Sequence, residues 1–286
     1  MPTDKIINLI CIGGIIVGIR WMNSPRTARR GNLLGAISLL AAIAATLLCR
    51  NIITLKILWL SLSAGTVLGL LLAYTVRMIQ MPQLVGLLNG FGGAASALVA
   101  LVVLRDSAES LSGLSRFIGG LALAVGGVTF GGSMIAVAKL DGRMNPRPIV
   151  LKGHFWLVLL TIIAMGVLLP FLTIHISFAF LEYGFILLLV LSLLFGILFA
   201  IRVGGGDMPI TISLLNSLSG LAAAIVGLAT SDLLSVAVGA IVGSAGLVLT
   251  QIMCRAMNSS ILQILAGKTT RSRPASQPNQ PERAAP

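Results

Sequence analysis

Charged residues, histidines and cysteines are all scarce in this sequence, and each shortage excludes a class of protein. Asp, Glu, Lys and Arg make up 10% of the 286 residues, whereas they make up roughly a quarter of an ordinary soluble domain. The two histidines and three cysteines are far apart and lack the spacing of a zinc site or a Cys-x-x-Cys redox motif. We therefore expect neither a soluble fold nor a metal site.

Signatures of nucleotide and nucleic-acid binding are also missing. The sequence shows no strand followed by Gly-x-Gly-x-x-Gly and no Walker A loop, so we expect it to bind no nucleotide cofactor by itself. Its net charge of +12 comes from basic residues in short loops without interleaved aromatic residues. Because a nucleic-acid-binding surface clusters its basic residues on one face, we expect no nucleic acid partner.

Long apolar stretches are abundant. Apolar residues make up 57% of the chain, and stretches such as LLLVLSLLFGILFAI lack the alternation of a membrane β-barrel. We predict an all-α polytopic membrane protein, with residues 1–265 as a transmembrane helical bundle in membrane lipid and residues 266–286 as a disordered cytoplasmic tail. About nine transmembrane helices are predicted, near residues 6–22, 32–49, 52–76, 84–104, 117–138, 155–173, 183–201, 210–229 and 233–253.

The distribution of Lys and Arg predicts the orientation in the membrane. An odd number of spans places the termini on opposite sides, and basic residues concentrate on the cytoplasmic side. With the C-terminus cytoplasmic and the N-terminus outside, the cytoplasmic side collects Arg20, Arg26, Arg29, Arg30, Arg77, Lys139, Arg143, Arg147, Lys152, Arg202, Arg255, Lys268, Arg271, Arg273 and Arg283. The opposite side retains Lys5, Arg50, Lys56, Arg105 and Arg116.

Two segments of the chain repeat the same pattern. Residues 81–93 read MPQLVGLLNGFGG and residues 208–220 read MPITISLLNSLSG, with Met-Pro, Leu-Leu-Asn and the final Gly at matching positions. A weaker match follows each copy, in Met144-Asn145 and Met257-Asn258. Because the two copies are four spans apart, both helices run in the same direction. The pattern predicts a parallel internal repeat, which is one of the repeat arrangements of transporters.

The amides of Asn89 and Asn216 are expected at one depth in the membrane. Each lies seven residues after its Pro, which is roughly 10 Å below the cytoplasmic end of the helix at 1.5 Å per residue. One interpretation is that each amide holds two helices together at small-residue contacts such as Gly92-Gly93. The other is that the pair lines a polar path for water or a proton, because polar groups inside a membrane are unfavourable unless they serve a route.

Four segments in order resemble a known family. They are MPQLVGLLNGFGGAASALV, VTFGGSMIAVAKLDGRM, GGGDMPITISLLNSLSGLAAAIVG and GAIVGSAGLVLTQIMCRAMNSS. Together they resemble the membrane domain of the beta subunit of proton-translocating NAD(P) transhydrogenase. The resemblance starts at MNSPRTARRGNLLGAISLLAAIAATLL and ends at about Gly267. It implies a multi-pass protein of the cell inner (plasma) membrane that couples hydride transfer between NAD(H) and NADP(H) to proton translocation.

The resemblance also implies roles for residues and partners. Asn89, Ser133 and Asn216 match the polar channel positions of the family and are predicted to line the proton path. Asp207, Arg202 and Arg255 are predicted to belong to the loops that couple the membrane part to nucleotide domains. NAD and NADP are expected on partner domains, which are the transhydrogenase alpha subunit and a separate NADP-binding domain in a dimeric complex. No residue of this chain is expected to be catalytic, and the chain is not expected to catalyse hydride transfer without its partner domains.

Three departures from the family leave a second function open. Asn89 stands where many members have a His, Ser259 stands where the family usually has Arg, and this sequence contains no NADP(H)-binding domain after Gly267. An amide takes up no proton near neutral pH. The alternative is a non-enzymatic membrane conduit or assembly protein derived from a transhydrogenase. The GGGDMP and MCRAMN segments favour the transhydrogenase subunit, because they match positions at which a nucleotide domain docks.

Overall fold

A computed structural model of the chain describes residues 2–49, 54–106, 111–174 and 178–261. These residues form nine α-helices and no strand, which confirms the all-α prediction. The helices are α1 (Pro2–Met22), α2 (Ala28–Cys49), α3 (Lys56–Thr75), α4 (Met81–Asp106), α5 (Gly113–Leu140), α6 (His154–Phe171), α7 (Phe178–Arg202), α8 (Met208–Ala229) and α9 (Leu233–Ala256). A 3₁₀ turn leads directly into each of two helices. Met78–Gln80 leads into α4, and Gly205–Asp207 leads into α8.

Length and composition make this a multi-pass membrane protein. Among the described helices, eight are long and apolar enough to cross a membrane, and α1 contributes a shorter apolar helix, Ile6–Met22. Each of the nine predicted spans overlaps one of these helices, and the first residues of the predicted span 52–76 lie outside the described part of the chain. The side of the membrane on which each helix end lies stays a prediction. The predicted tail, 266–286, lies outside the described residues.

Local sequence signals determine several helix boundaries. Pro82 and Pro209 occupy the first turns of α4 and α8, where the missing N–H has no helical acceptor to lose. The Asp232 carboxylate accepts from the backbone N–H of Leu234 and Ser235 and thereby caps α9. The α6 helix follows Gly153, whose φ of 74° suits a residue without a side chain.

Helix α5 occupies the centre of the bundle. It packs against α4, α7 and α8, and it buries fifteen of its residues, among them a series of glycines. The backbone of α7 approaches Gly131 so closely that an added Cβ would lie 2.6 Å from the Leu193 carbonyl oxygen. Helix α3 is the opposite case, because it buries none of its residues against the described part of the chain. The core therefore lies around α5, and α3 lies at the edge.

The internal repeat forms two helix pairs with the same contact. In the α4–α5 pair, a Cβ on Gly126 would lie 2.6 Å from the Gly93 oxygen and 2.8 Å from the Ala97 nitrogen. In the α8–α9 pair, a Cβ on Gly239 would lie 2.7 Å from the Gly220 oxygen and would also meet the Ala224 nitrogen. In the register that aligns Met81 with Met208, Gly93 matches Gly220 and Ala97 matches Ala224. Equivalent residues of α4 and α8 thus make the same close backbone contact in both pairs.

Helices α4 and α8 also contact each other and run in parallel. A Cβ on Gly86 would lie 3.4 Å from Ile212 Cδ1, and one on Gly92 would lie 3.0 Å from Ser219 Oγ. The residue numbers increase together along both helices, as the repeat in the sequence predicts.

Candidate functional site

A buried hydrogen bond joins the first predicted amide to its predicted hydroxyl. Asn89 Nδ2 donates to Ser133 Oγ over 2.9 Å. Asn89 is 6% exposed, and Ser133 is fully buried. The carbonyl oxygen of the same amide, Oδ1, is buried and has no hydrogen-bond partner among the described residues. The site therefore contains one satisfied donor and one unsatisfied acceptor inside the bundle.

Glycines bring the two helices of this pair close enough for that bond. Besides the Gly93–Gly126 contact, a Cβ on Gly90 would lie 3.2 Å from Ser133 Cβ and would collide with the Met134 methyl group. Gly90 has no side chain, so α5 can approach α4 closely at this position. The approach places Ser133 of α5 beside Asn89, the residue before Gly90 on α4. Small residues at close helix crossings are typical of membrane bundles.

Asn216 occupies the equivalent position in the second copy but has different surroundings. It is half-buried and makes no hydrogen bond to any described residue. In the register that aligns Gly126 with Gly239, Gly246 is the counterpart of Ser133. Gly246 has no hydroxyl to offer, and a Cβ there would lie 3.0 Å from Ser217 Cα. The structure therefore joins Asn89 with Ser133 and leaves the Asn216 amide unpaired within the described chain.

A row of hydroxyls between α8 and α9 did not appear in the sequence prediction. Thr250 Oγ1 lies 3.0 Å from Ser213 Oγ, and both residues are buried. Ser217 Oγ donates to the Gly243 carbonyl oxygen over 2.7 Å. Ser213 and Ser217 are four residues apart, on one face of α8 with α9 Gly243 and Gly246 opposite them. That spacing is the signal in the sequence from which this row could have been predicted.

The predicted coupling residues lie near the end of the bundle at which α8 begins, and they differ in exposure. Asp207 is buried at the end of the 3₁₀ turn before α8, and its carbonyl oxygen accepts from Thr211 Oγ1 over 3.1 Å. Arg202 ends α7, and its Nε is buried without a partner among the described residues. Arg255 is exposed in the last turn of α9, whereas the neighbouring Cys254 is buried against Val203 and Met208.

Lys139 connects this end of the bundle and was not singled out as a site residue in the sequence. It is 3% exposed, and its ammonium group donates to the carbonyl oxygens of Ile201 at 2.5 Å and Val203 at 2.6 Å. The loop after α5 meets the same turn, because Gly205 N donates to the Pro146 oxygen over 2.7 Å. The end of α5 and the segment that leads into α8 are thus held together.

Metal-binding clusters are absent from the described part of the chain, where no group of three or more His, Cys, Asp or Glu side chains could hold an ion. His154 is buried at the start of α6, and His175 lies outside the described residues. The site consists of amides and hydroxyls.

Comparison with known proteins assigns the family. The family model described as NAD(P) transhydrogenase beta subunit matches residues 4–285. The chain belongs to this family. Two proteins named NAD(P) transhydrogenase subunit beta, both from Rhodospirillum rubrum, are each 34% identical over 260 residues. The matched region covers 88% of this chain and 55% of each relative, so the chain spans about half the length of the curated relatives it matches.

Membership in the beta subunit family confirms the resemblance that the four sequence segments indicated. The Asn89 and Asn216 amides and the Ser133, Ser213 and Thr250 hydroxyls all donate and accept hydrogen bonds, and none of them titrates near neutral pH. Such groups can hold and orient water, but they cannot carry a proton as a side-chain base.

Proposed function

We propose that this chain is the proton-conducting membrane part of an NAD(P) transhydrogenase, and that Asn89, Ser133 and Asn216 line its proton path. The observation that carries the proposal is the buried Asn89–Ser133 bond together with the unsatisfied Asn89 Oδ1. A buried polar atom without a partner costs about 1–3 kcal/mol, and an ordered water molecule removes that cost. An open acceptor beside a hydroxyl is therefore a place where a chain of water molecules can pass.

Water is the carrier in this proposal because the site has no titratable side chain. The Asn89 acceptor and the unpaired Asn216 amide are available to water, and the Ser213–Thr250 hydroxyls extend the polar surface in the second copy. A hydrogen-bonded water chain passes an excess proton by exchanging covalent and hydrogen bonds along its length. The protein then orients the water and supplies no base.

Coupling to nucleotide chemistry belongs to the proposal as well. NAD(H) and NADP(H) would bind on partner domains, the alpha subunit and an NADP-binding domain, within a dimeric complex of the inner membrane. Asp207, Arg202 and Arg255 would meet these domains at the end where α8 begins. A displacement of the Gly205–Asp207 turn would reach Asn216 directly, because the turn continues into α8 without a break.

A proton measurement in the assembled complex tests this function. The chain would be reconstituted into liposomes with an alpha subunit and an NADP-binding domain, and hydride transfer and luminal pH would be recorded together. We expect a luminal pH change that requires both nucleotides and stops when either is omitted. Hydride transfer without any pH change in sealed vesicles would contradict the proposal.

The alternative function is a non-enzymatic conduit or assembly protein, which Asn89 favours because it stands where many family members have a His. The same vesicles distinguish this alternative. A conduit would pass protons down an imposed pH gradient with the partner domains and nucleotides absent. An assembly protein would pass none under either condition.

A further inference from the structure

A cavity of about 500 Å³ opens beside the start of α4 and the end of α5. Four structural segments line it: the end of α3, the 3₁₀ turn, the first two turns of α4 and the last turns of α5 with the residues after it. Its polar lining comes from Gln80, Gln83, Asp141 and Arg143. It lies at the end of the bundle that carries the loop 141–153, which is the predicted cytoplasmic end.

Polar groups are present in the lining, although most of the lining residues are apolar. Asp141 and Arg143 form an exposed ion pair at 2.6 Å. Gln83 Nε2 donates to the Leu140 carbonyl oxygen over 3.1 Å, while Gln83 Oε1 is buried and has no partner among the described residues. At about 30 Å³ per molecule, the cavity has room for more than ten water molecules, and Gln83 Oε1 is an acceptor for one of them.

The inner end of the cavity is one side chain away from the amide–hydroxyl pair. Leu87 and Met134 line the cavity, and Met134 directly follows Ser133 on α5. The Met134 methyl group occupies the space that a side chain at Gly90 would fill, next to Asn89. A flexible, unbranched thioether therefore lies at the boundary between the cavity and the buried Asn89–Ser133 bond.

We propose that this cavity is an aqueous vestibule through which the Asn89–Ser133 pair exchanges water and protons with one membrane face, and that Met134 closes its inner end. The inference rests on the proposed function and names the route to the same pair. Gly90 is part of this arrangement, because its missing side chain gives the Met134 methyl group the space that it occupies. Rotation of Met134 away from Gly90 joins the vestibule to the pair.

Thiol labelling tests the vestibule without any need for proton flow. Cys11, Cys49 and Cys254 would be replaced by Ala, and Gln83→Cys or Ser133→Cys would be introduced into the full chain in sealed vesicles of either orientation. The probe is a charged, membrane-impermeant methanethiosulfonate. We expect it to modify Gln83→Cys rapidly from one face only, and Ser133→Cys slowly, because access to Ser133 requires local opening.

The Met134→Ala substitution tests the closure. In that background Ser133→Cys should be modified from the same face at least about tenfold faster, because the side chain that blocks access is gone. Met134→Leu conserves volume and should label as the parent does. Met165→Ala is the matched control, since Met165 lies on α6 against a different apolar cluster, and it should leave labelling unchanged.

Two results would overturn the inference. The first is that the probe does not modify Gln83→Cys, which is expected if lipid fills the cavity. The second is that Met134→Ala leaves the labelling rate of Ser133→Cys unchanged. Both results can be distinguished from a failure of the proposed function. If the cysteine variants label as described but the unsubstituted chain moves no protons with its partners, the vestibule is supported and the proposed function is not. A chain that moves protons with an unreactive Gln83→Cys keeps the function and loses the vestibule.

Discussion

Gly92 of α4 lies against Ser219 of α8, and these two residues are counterparts in the internal repeat. A Cβ on Gly92 would lie 3.0 Å from Ser219 Oγ. Equivalent positions of parallel helices meet when an approximate two-fold axis runs between the helices, along their length. Asn89 and Asn216 each lie three residues before this contact, so the two amides lie at one height in the bundle. The equal depth inferred from the sequence thus agrees with the packing of α4 on α8.

The glycines at the two equivalent crossings should be equally intolerant of a side chain. We expect Gly126→Val and Gly239→Val each to destabilise the bundle by about 3 kcal/mol, because the new Cβ would meet backbone atoms of the partner helix. The measurement is the free energy of unfolding in detergent. Gly65→Val on α3 is the control, since a Cβ there meets nothing within 4 Å. Equal stability of Gly239→Val and Gly65→Val would refute the α8–α9 contact.

Replacement of the Asn216 amide separates a role in conduction from a role in helix packing. If Asn216 lines the proton path, Asn216→Leu should abolish proton movement in reconstituted vesicles and leave the thermal unfolding temperature nearly unchanged, since the amide makes no hydrogen bond to the described chain. If the amide only joins helices, stability should fall by about 1 kcal/mol while conduction persists. Asn32→Leu on an exposed position of α2 supplies the control.

Introduction of an imidazole at the other amide should make conduction dependent on pH. We expect Asn89→His to add a titration to the pH dependence of conduction, because an imidazole can take up a proton in the physiological pH range, whereas the amide of the parent cannot. The measurement is the rate of proton movement between pH 5.5 and 8. Asn89→Gln is the control, because it keeps an amide. The water-chain mechanism would be wrong if the parent and the His variant had the same pH profile.

Loss of the Lys139 ammonium group should loosen the end of α5 from the end of α7. Lys139→Met removes both donors to the Ile201 and Val203 carbonyl oxygens, and we expect a destabilisation of about 1–3 kcal/mol. Lys56→Met, at an exposed position in the first turn of α3, should change stability by less than about 0.5 kcal/mol. We expect backbone hydrogen exchange at residues 200–207 to be faster in Lys139→Met than in the parent, and unchanged in Lys56→Met. Exchange at these residues that is equally fast in the parent and in Lys139→Met would contradict the prediction.

Reporter fusions test the predicted orientation. Fusions after Met22, Arg77, Arg143, Arg202 and Lys268 should all report the cytoplasm, and fusions near Arg105 and His175 the opposite side. This result is expected because the loops assigned to the cytoplasm carry most of the Lys and Arg residues. A cytoplasmic signal near His175 would contradict the nine-span topology.

The sequence predicted the helices and the repeat well but could not predict which helix lies at the centre. The apolar windows of α3 and α5 have the same mean hydropathy, yet 61% of the α5 window is buried and none of the α3 window is. In a membrane every face of a helix can be apolar, so periodicity does not mark the buried face. The glycines that recur along α5 are the kind of sequence feature that indicates close helix packing.

The site was predictable as far as its residues resemble those of the family. Asn89 and Ser133 were named together and do form a bond. The unpaired state of Asn216 was not predictable, because it depends on Gly246 from another helix standing where the first copy has Ser133. The burial of Lys139 also depends on tertiary packing, since its acceptors lie 62 and 64 residues further along the chain.

The lack of buried residues on α3 affects how freely its sequence can vary. Where lipid alone covers α3, its side chains have only to remain apolar and helical, so exchanges among Leu, Ile, Val and Ala should accumulate there almost neutrally. The last turn is the exception, because Leu72 lines the cavity beside Gln83, as does Val76 directly after the helix. A comparison of close relatives should therefore find α3 variable up to that point, and α5, with its crowded glycines, nearly fixed.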